Sequence, residues 1–148
     1  MEVVICAIGH LKSGPELDLI NKYIKQTSWK VTIKEFEYKK NGSVDEIKRG
    51  EAELLFSGVP KGAKIIVLDE RGKTMPSVDF AKKVMEGQSS VAFLIGGAYG
   101  HNDETRKKAD MLMSFGQMTW PHFLVRAMLT EQIYRAKTIL DGHPYHKV

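Results

Sequence analysis

The stretch Lys64-Ile65-Ile66-Val67-Leu68-Asp69 decides the fold class. Its four apolar residues follow one another without polar alternation, the pattern of a strand buried on both faces in a parallel sheet covered by helices. The same continuous pattern recurs at Met1 to Gly9 and at Val91 to Ile95.

Helical stripes lie between these runs. Ser13 to Thr27 opens with Pro15 in the first turn and repeats Leu17, Ile20 and Ile24 at helical spacing. Val44 to Phe56 carries Val44, Ile47, Leu54 and Leu55 on one side, with Gly50 as an unfavourable interior residue. Pro76 to Met85 reads as a helix with Gly87 just beyond it. Asp103 caps a short helix to about Asp110. The longest helix starts at Pro121, repeats Val125, Met128, Leu129, Ile133, Ala136 and Leu140, and stops at Gly142 and Pro144. Tyr134 and Phe123 fall off its main stripe and face either a partner or the core.

Two further strands complete the order. Val31 to Tyr38 is strand-like, but Val31 and Ile33 differ in parity from Phe36 and Tyr38, which predicts a bulge or slip. Met111 to Phe115 is a short strand, and Arg71, Gly72 and Lys73 form the turn after Asp69. Alternating strands and helices predict one α/β domain over residues 1–148, with a mostly parallel sheet and helices on both faces.

The composition, 43% hydrophobic and 27% charged, is that of a globular protein rather than a disordered or collagen-like chain. Apolar stretches are too short to span a bilayer, so no membrane partner is expected. The first strand follows Met1 without a basic leader, and the one cysteine, Cys6, sits among apolar residues as a small buried hydrophobe. Together these point to the cytoplasm. The net charge of +4 is compatible with nucleic acid without demanding it.

In open α/β sheets, ligands gather outside the carboxyl ends of strands. Three loops qualify here: Leu68 to Lys73, Gly96 to His101, and Phe115 to Pro121. Closely spaced glycines in the second let backbone approach a ligand. No dinucleotide fingerprint follows the first strand and no P-loop occurs, so neither NAD nor ATP is favoured. His122, His143 and His146 lack the clustered cysteines or second ordered pair of a zinc site, and no metal is expected. The tail, His143-Pro144-Tyr145-His146, combines a rigid residue, an aromatic ring and two titratable rings.

Four strings carry a resemblance over the whole length. They are IIVLDERGK, ending on the Leu68 to Lys73 loop; FLIGGAYG at Phe93 to Gly100; SFGQMTWPH at Ser114 to His122; and VRAMLTEQIYRA through HPYHK at the end. In this order and spacing the chain closely resembles the RlmH family, SPOUT-class methyltransferases of large-subunit ribosomal RNA that act on a pseudouridine. The resemblance implies S-adenosylmethionine held by Leu68, Gly96, Phe115, Gly116, Gln117, Met118, Thr119 and Trp120. Leu68, Phe115 and Met118 suit an apolar adenine slot, and Gly96 would let ribose or methionine lie on bare backbone. Gly116 and Gln117 stand where serine and lysine are common in the family, so a contact from that lysine is not carried over. A C-terminal trefoil knot and a homodimer are also implied, although nothing in the periodicity indicates a knot.

Methyl transfer from a sulfonium is a direct displacement and depends chiefly on positioning in a dry site. The pseudouridine N3 must lose its proton, and a fixed cation or phenol beside the ring oxygens would stabilise the resulting charge. Arg126, Arg135, Tyr145 and His146 are the catalytic candidates, and His122, Lys137 and Lys147 the RNA-binding ones. Arg126 and Arg135 lie nine positions apart on one helix, about 180° around its axis, so one copy cannot readily aim both at one base. A site shared between two subunits would reconcile them. A noncatalytic RNA-binding α/β module is the rival reading, separated by its failure to bind S-adenosylmethionine; ribosomal RNA, within the ribosome, is the expected partner.

Overall fold

The computed structural model describes residues 1–147. Five strands form one sheet: β1 (Glu2–Ile8), β2 (Lys30–Phe36), β3 (Lys64–Lys73), β4 (Ser90–Ile95) and β5 (Met111–Met113). Their order is β2-β1-β4-β3-β5, and every pairing is parallel. The helices are α1 (Pro15–Gln26), α2 (Val44–Ser57), α3, α4 (Asp103–Lys108) and α5 (His122–Asp141). The third begins as an α-turn at Ser77–Asp79 and continues as a π-helical segment, Phe80–Met85. There the Glu86 N–H reaches the Ala81 carbonyl five residues back.

Continuous apolar strands need cover on both faces, and they have it. Val3, Ile5, Ala7, Val91, Phe93 and Ile95 pack with α3 and with Leu129, Ile133 and Ala136 of α5. On the opposite face Val4, Cys6, Val67, Ala92 and Leu94 pack against Leu55 of α2. Burial pushes the Cys6 thiol up to about 11, so it stays protonated, as a buried hydrophobe should.

The expected bulge in β2 is absent: β2 pairs one-to-one with β1 from Glu2↔Lys30 to Ile8↔Phe36. The parity change instead reflects cover on two faces, with Val31 and Ile33 on the α3/α5 side and Phe36 on the α2 side. The irregularity lies between β3 and β5, where the register shifts between Leu68 and Lys73. Arg71, Gly72 and Lys73, read as a turn, are therefore strand. At Gly72 a Cβ would stand 2.6 Å from backbone atoms of Met113, an approach only glycine permits.

Ends of elements also moved. The α4 cap is Asn102, not Asp103; its side-chain oxygen accepts the Thr105 N–H at 2.8 Å. The fifth strand stops before Phe115 because the Ser114 hydroxyl accepts the Gly116 N–H at 3.1 Å and bends the chain. Ser43 and Glu46 cap α2 reciprocally, a capping box that anchors the helix despite its interior glycine.

Gly50 has a packing reason. A Cβ there would fall 1.9 Å from the Tyr38 ring, which lies across the helix. Gly50→Ala should therefore destabilise the protein although alanine is the better helix former. In a Tyr38→Ala background the same change should become stabilising by about 1 kcal/mol. Urea unfolding of the four proteins in this cycle measures the sign change.

Candidate functional site

A cleft of about 580 Å³ opens at the carboxyl ends of β3 and β4 and beside the segment after β5. Leu68, Gly96, Phe115, Gly116, Met118, Thr119 and Trp120 line it; Gln117 does not. Met118 is 74% exposed and Trp120 37%, so the cleft has an apolar lip unsupported within one chain. The volume suits a ligand of cofactor size.

The back of the cleft is rigid and polar. His101 is buried and its Nε2 lies 3.0 Å from the Leu68 carbonyl, an arrangement in which the ring nitrogen donates. Burial outweighs the neighbouring Asp69 and holds the imidazole below its ordinary pKa, so it is neutral. Asp69 itself is pushed up by burial, but the Arg71 N–H and the Arg106 guanidinium, at 2.8 Å, pull its carboxyl lower still. This pair ties β3 to α4.

The glycines that line the cleft also make room for neighbours within the chain. A Cβ on Gly96 would stand 3.0 Å from the His101 ring, so the missing side chain makes room for the histidine before it makes room for a ligand. A valine there would disturb the floor of the cleft as well as affinity. On Gly97 a Cβ would meet the Glu51 carboxylate at 2.7 Å. Glu51 Oε1 is buried without a partner, and burial raises its pKa.

Three of the four catalytic candidates meet at the other end of α5. The tail folds back so that the Tyr145 hydroxyl donates to Glu131 Oε2 at 2.6 Å, and Arg135 Nη2 donates to the same oxygen at 2.7 Å. Arg135 Nη1 is 3.0 Å from His146 Nδ1, and its guanidinium lies 4.8 Å from the Tyr145 ring centre. Tyr145 also stands edge-on to Tyr134, 4.7 Å between ring centres, and Tyr134 packs on Tyr23 of α1. Tyr134 and Phe123 therefore have partners within the chain, Phe123 lying with Leu11, Ile20 and Ala127.

Arg126 is elsewhere. It is 1% exposed, ion-pairs with Glu35, reaches the Gly9 carbonyl at 3.3 Å, and lies over the Phe123 ring. Burial pushes the Glu35 carboxyl up, but the Leu11 N–H and Arg126 outweigh it and hold it low. Within the chain Arg126 is a clamp between α5, β2 and the loop after β1, remote from Arg135. Of the RNA-binding candidates, His122 borders the cleft, Lys147 is exposed, and Lys137 is paired with Asp141 at 2.8 Å. Sequence reading missed Glu35, His101 and Glu131; each is an unremarkable polar residue until the fold supplies its partner.

Comparisons with known proteins bear on the family and the fold. Residues 1–146 match the family model described as predicted SPOUT methyltransferase. The chain is 50% identical over 151 residues to "Ribosomal RNA large subunit methyltransferase H" of Paramagnetospirillum magneticum, covering 99% of each. The protein of the same name from Rhodospirillum centenum is 46% identical, again over 99% of each. A probable methylase family protein from Haemophilus influenzae Rd KW20 superposes with a TM-score of 0.55 at 9% identity, covering 99% of this chain and 70% of that one. The chain belongs to the SPOUT methyltransferase family. It is accordingly a transferase whose cofactor is S-adenosylmethionine.

Two outcomes follow from the buried polar groups. Glu35→Gln strands the buried Arg126 charge and should cost about 3 kcal/mol, whereas Arg126→Met leaves only the partly exposed Glu35 and should cost less. Urea unfolding gives the order. Because folding lowers the His101 pKa, its contribution is complete above the ordinary histidine value of 6.5 and declines as pH falls below it. His101→Gln, compared with the parent from about pH 7.5 to about pH 5, should flatten that loss of unfolding free energy.

Proposed function

We propose that the protein methylates N3 of a pseudouridine in large-subunit ribosomal RNA, in the cytoplasm and on the assembled ribosome. The working form is a homodimer whose active site combines the cleft of one subunit with the tail cluster of the other. The separation of the two within one chain carries this reading. His122 borders the cleft, and Arg135 follows thirteen residues later on the same helix, roughly 20 Å along its axis. A second copy bringing its tail cluster to the Met118 and Trp120 lip would complete the site and cover that apolar edge.

The cleft fits S-adenosylmethionine. Leu68, Phe115 and Met118 offer apolar walls and the segment from Ser114 to Trp120 offers main chain. When bound, the cofactor supplies a methyl group on a sulfonium for in-line displacement. The chain's own residues then position the base, exclude water and accept the imino proton. Arg135 stands ready to stabilise negative charge on the base, with its own charge reinforced by Glu131. The family's trefoil knot would involve the Ser114 to Pro121 segment. The return of α5 from edge strand β5 to α1 is compatible with it.

Gly116→Val tests the cofactor half, because φ of 114° there excludes a branched side chain. Truncation before Tyr145 tests the tail half. Each homodimer should be nearly inactive on ribosomes. Subunits exchanged between the two should recover about a quarter of wild-type activity, since half of random pairs are mixed and each holds one complete site. Exchanged mixtures that stay inactive, although both parents dimerise, would refute the shared site.

A further inference from the structure

Tyr145 has one proton to donate in a hydrogen bond, and Glu131 accepts that bond. The phenol donates to Glu131 Oε2 at 2.6 Å, so toward any third group its oxygen can only accept. Glu131 also holds Arg135 through both carboxylate oxygens, at 3.3 Å from Nε and 2.7 Å from Nη2. Its side chain is 18% exposed, and one further donor, the Gln132 amide, reaches it at 3.0 Å. The remaining titratable and charged groups around the phenol are Tyr23 of α1, Tyr134, Arg135 and His146. Burial, followed by the hydrogen bond to Glu131, raises the phenol pKa, so Tyr145 is held as the neutral phenol.

We propose that Glu131 is a positioning residue for methyl transfer, turning Tyr145 into a proton acceptor for the base while fixing Arg135 beside it. This rests on the function proposed above. The proton account closes: the N3–H bond breaks as the proton joins the Tyr145 oxygen, and the phenol's original proton passes to Glu131. The freed N3 pair then forms the bond to the methyl group, whose bond to sulfur breaks with its electrons left on sulfur. Arg135 remains charged throughout and faces the charge that spreads onto the ring.

Single-turnover methylation of ribosomes by wild type, Glu131→Gln, Tyr145→Phe and the double variant tests this, from about pH 6.5 to about pH 9.5. Glu131→Gln should slow transfer about 100-fold near neutrality with unchanged S-adenosylmethionine affinity by calorimetry. The double variant should be no slower than Tyr145→Phe, because both remove one relay. The Glu131→Gln deficit should shrink as pH rises and the imino proton leaves unaided. Glu131→Asp, with its carboxylate withdrawn by one methylene, should fall between. A Glu131→Gln rate within twofold of wild type, multiplying losses, or a deficit independent of pH would each overturn the proposal. A wild-type enzyme that transfers no methyl to ribosomes would instead refute the function on which it rests. Amide hydrogen exchange at residues 143 and 145–147 reads the contact separately: faster exchange in Glu131→Gln supports it, and unchanged exchange overturns it.

Discussion

The buried guanidinium of Arg126 constrains the whole molecule. It is the largest fully buried side chain, and a charge in that position is tolerable only with a partner and hydrogen bonds in place. Glu35 from β2 and the Gly9 carbonyl after β1 supply them for the two terminal nitrogens, leaving only Nε without a partner among the described residues. Meeting that demand fixes the start of α5 over the carboxyl ends of β1 and β2. The rest of the helix then runs with its apolar side across α3 and the sheet. The placement of His122 at the cleft and of Arg135 far from it follows from this one anchoring.

The strands on either side of that anchor explain why the cleft and the tail cluster lie at opposite ends of one helix. Parallel pairing of β3 with β4 ends at Leu68 and Ile95, so Leu68 and Gly96 become neighbours although 28 residues separate them in sequence. Ser114 bends the chain beside them and delivers Phe115 to Trp120. Tyr145 and His146 meet Glu131 and Arg135 toward the far end of α5, whereas the start of the helix borders the cleft.

Much of this was legible in residues and some was not. Uninterrupted apolar runs gave β1, β3 and β4, and the i, i+3, i+4 stripe gave α5, since burial on both faces or on one face leaves a direct mark on the order of residues. The extension of β3 through Gly72 left none, because it depends on the backbone of Met113, 41 residues away. The cleft loops were legible from motif order. Gly96, however, was read for its ligand, whereas its absent side chain first accommodates His101. Arg126 and Arg135 look alike in sequence; only the positions of Glu35 and Glu131 separate a structural clamp from a member of the tail cluster. Glu131 was invisible because a glutamate four residues before an arginine on a helix is ordinarily a surface pair.

The pairing order of the sheet also sets a timetable for synthesis. The strand made first, β1, occupies an interior position and needs both β2 and β4 as neighbours. Residues up to Ile95 must exist before its second edge can close, and Arg126 must emerge before Glu35 is neutralised. A chain with such distant pairings folds slowly and keeps an open apolar edge while it waits. Both edges of β1 are paired, and the Glu35–Arg126 ion pair is formed, only once the residues through Arg126 have been made.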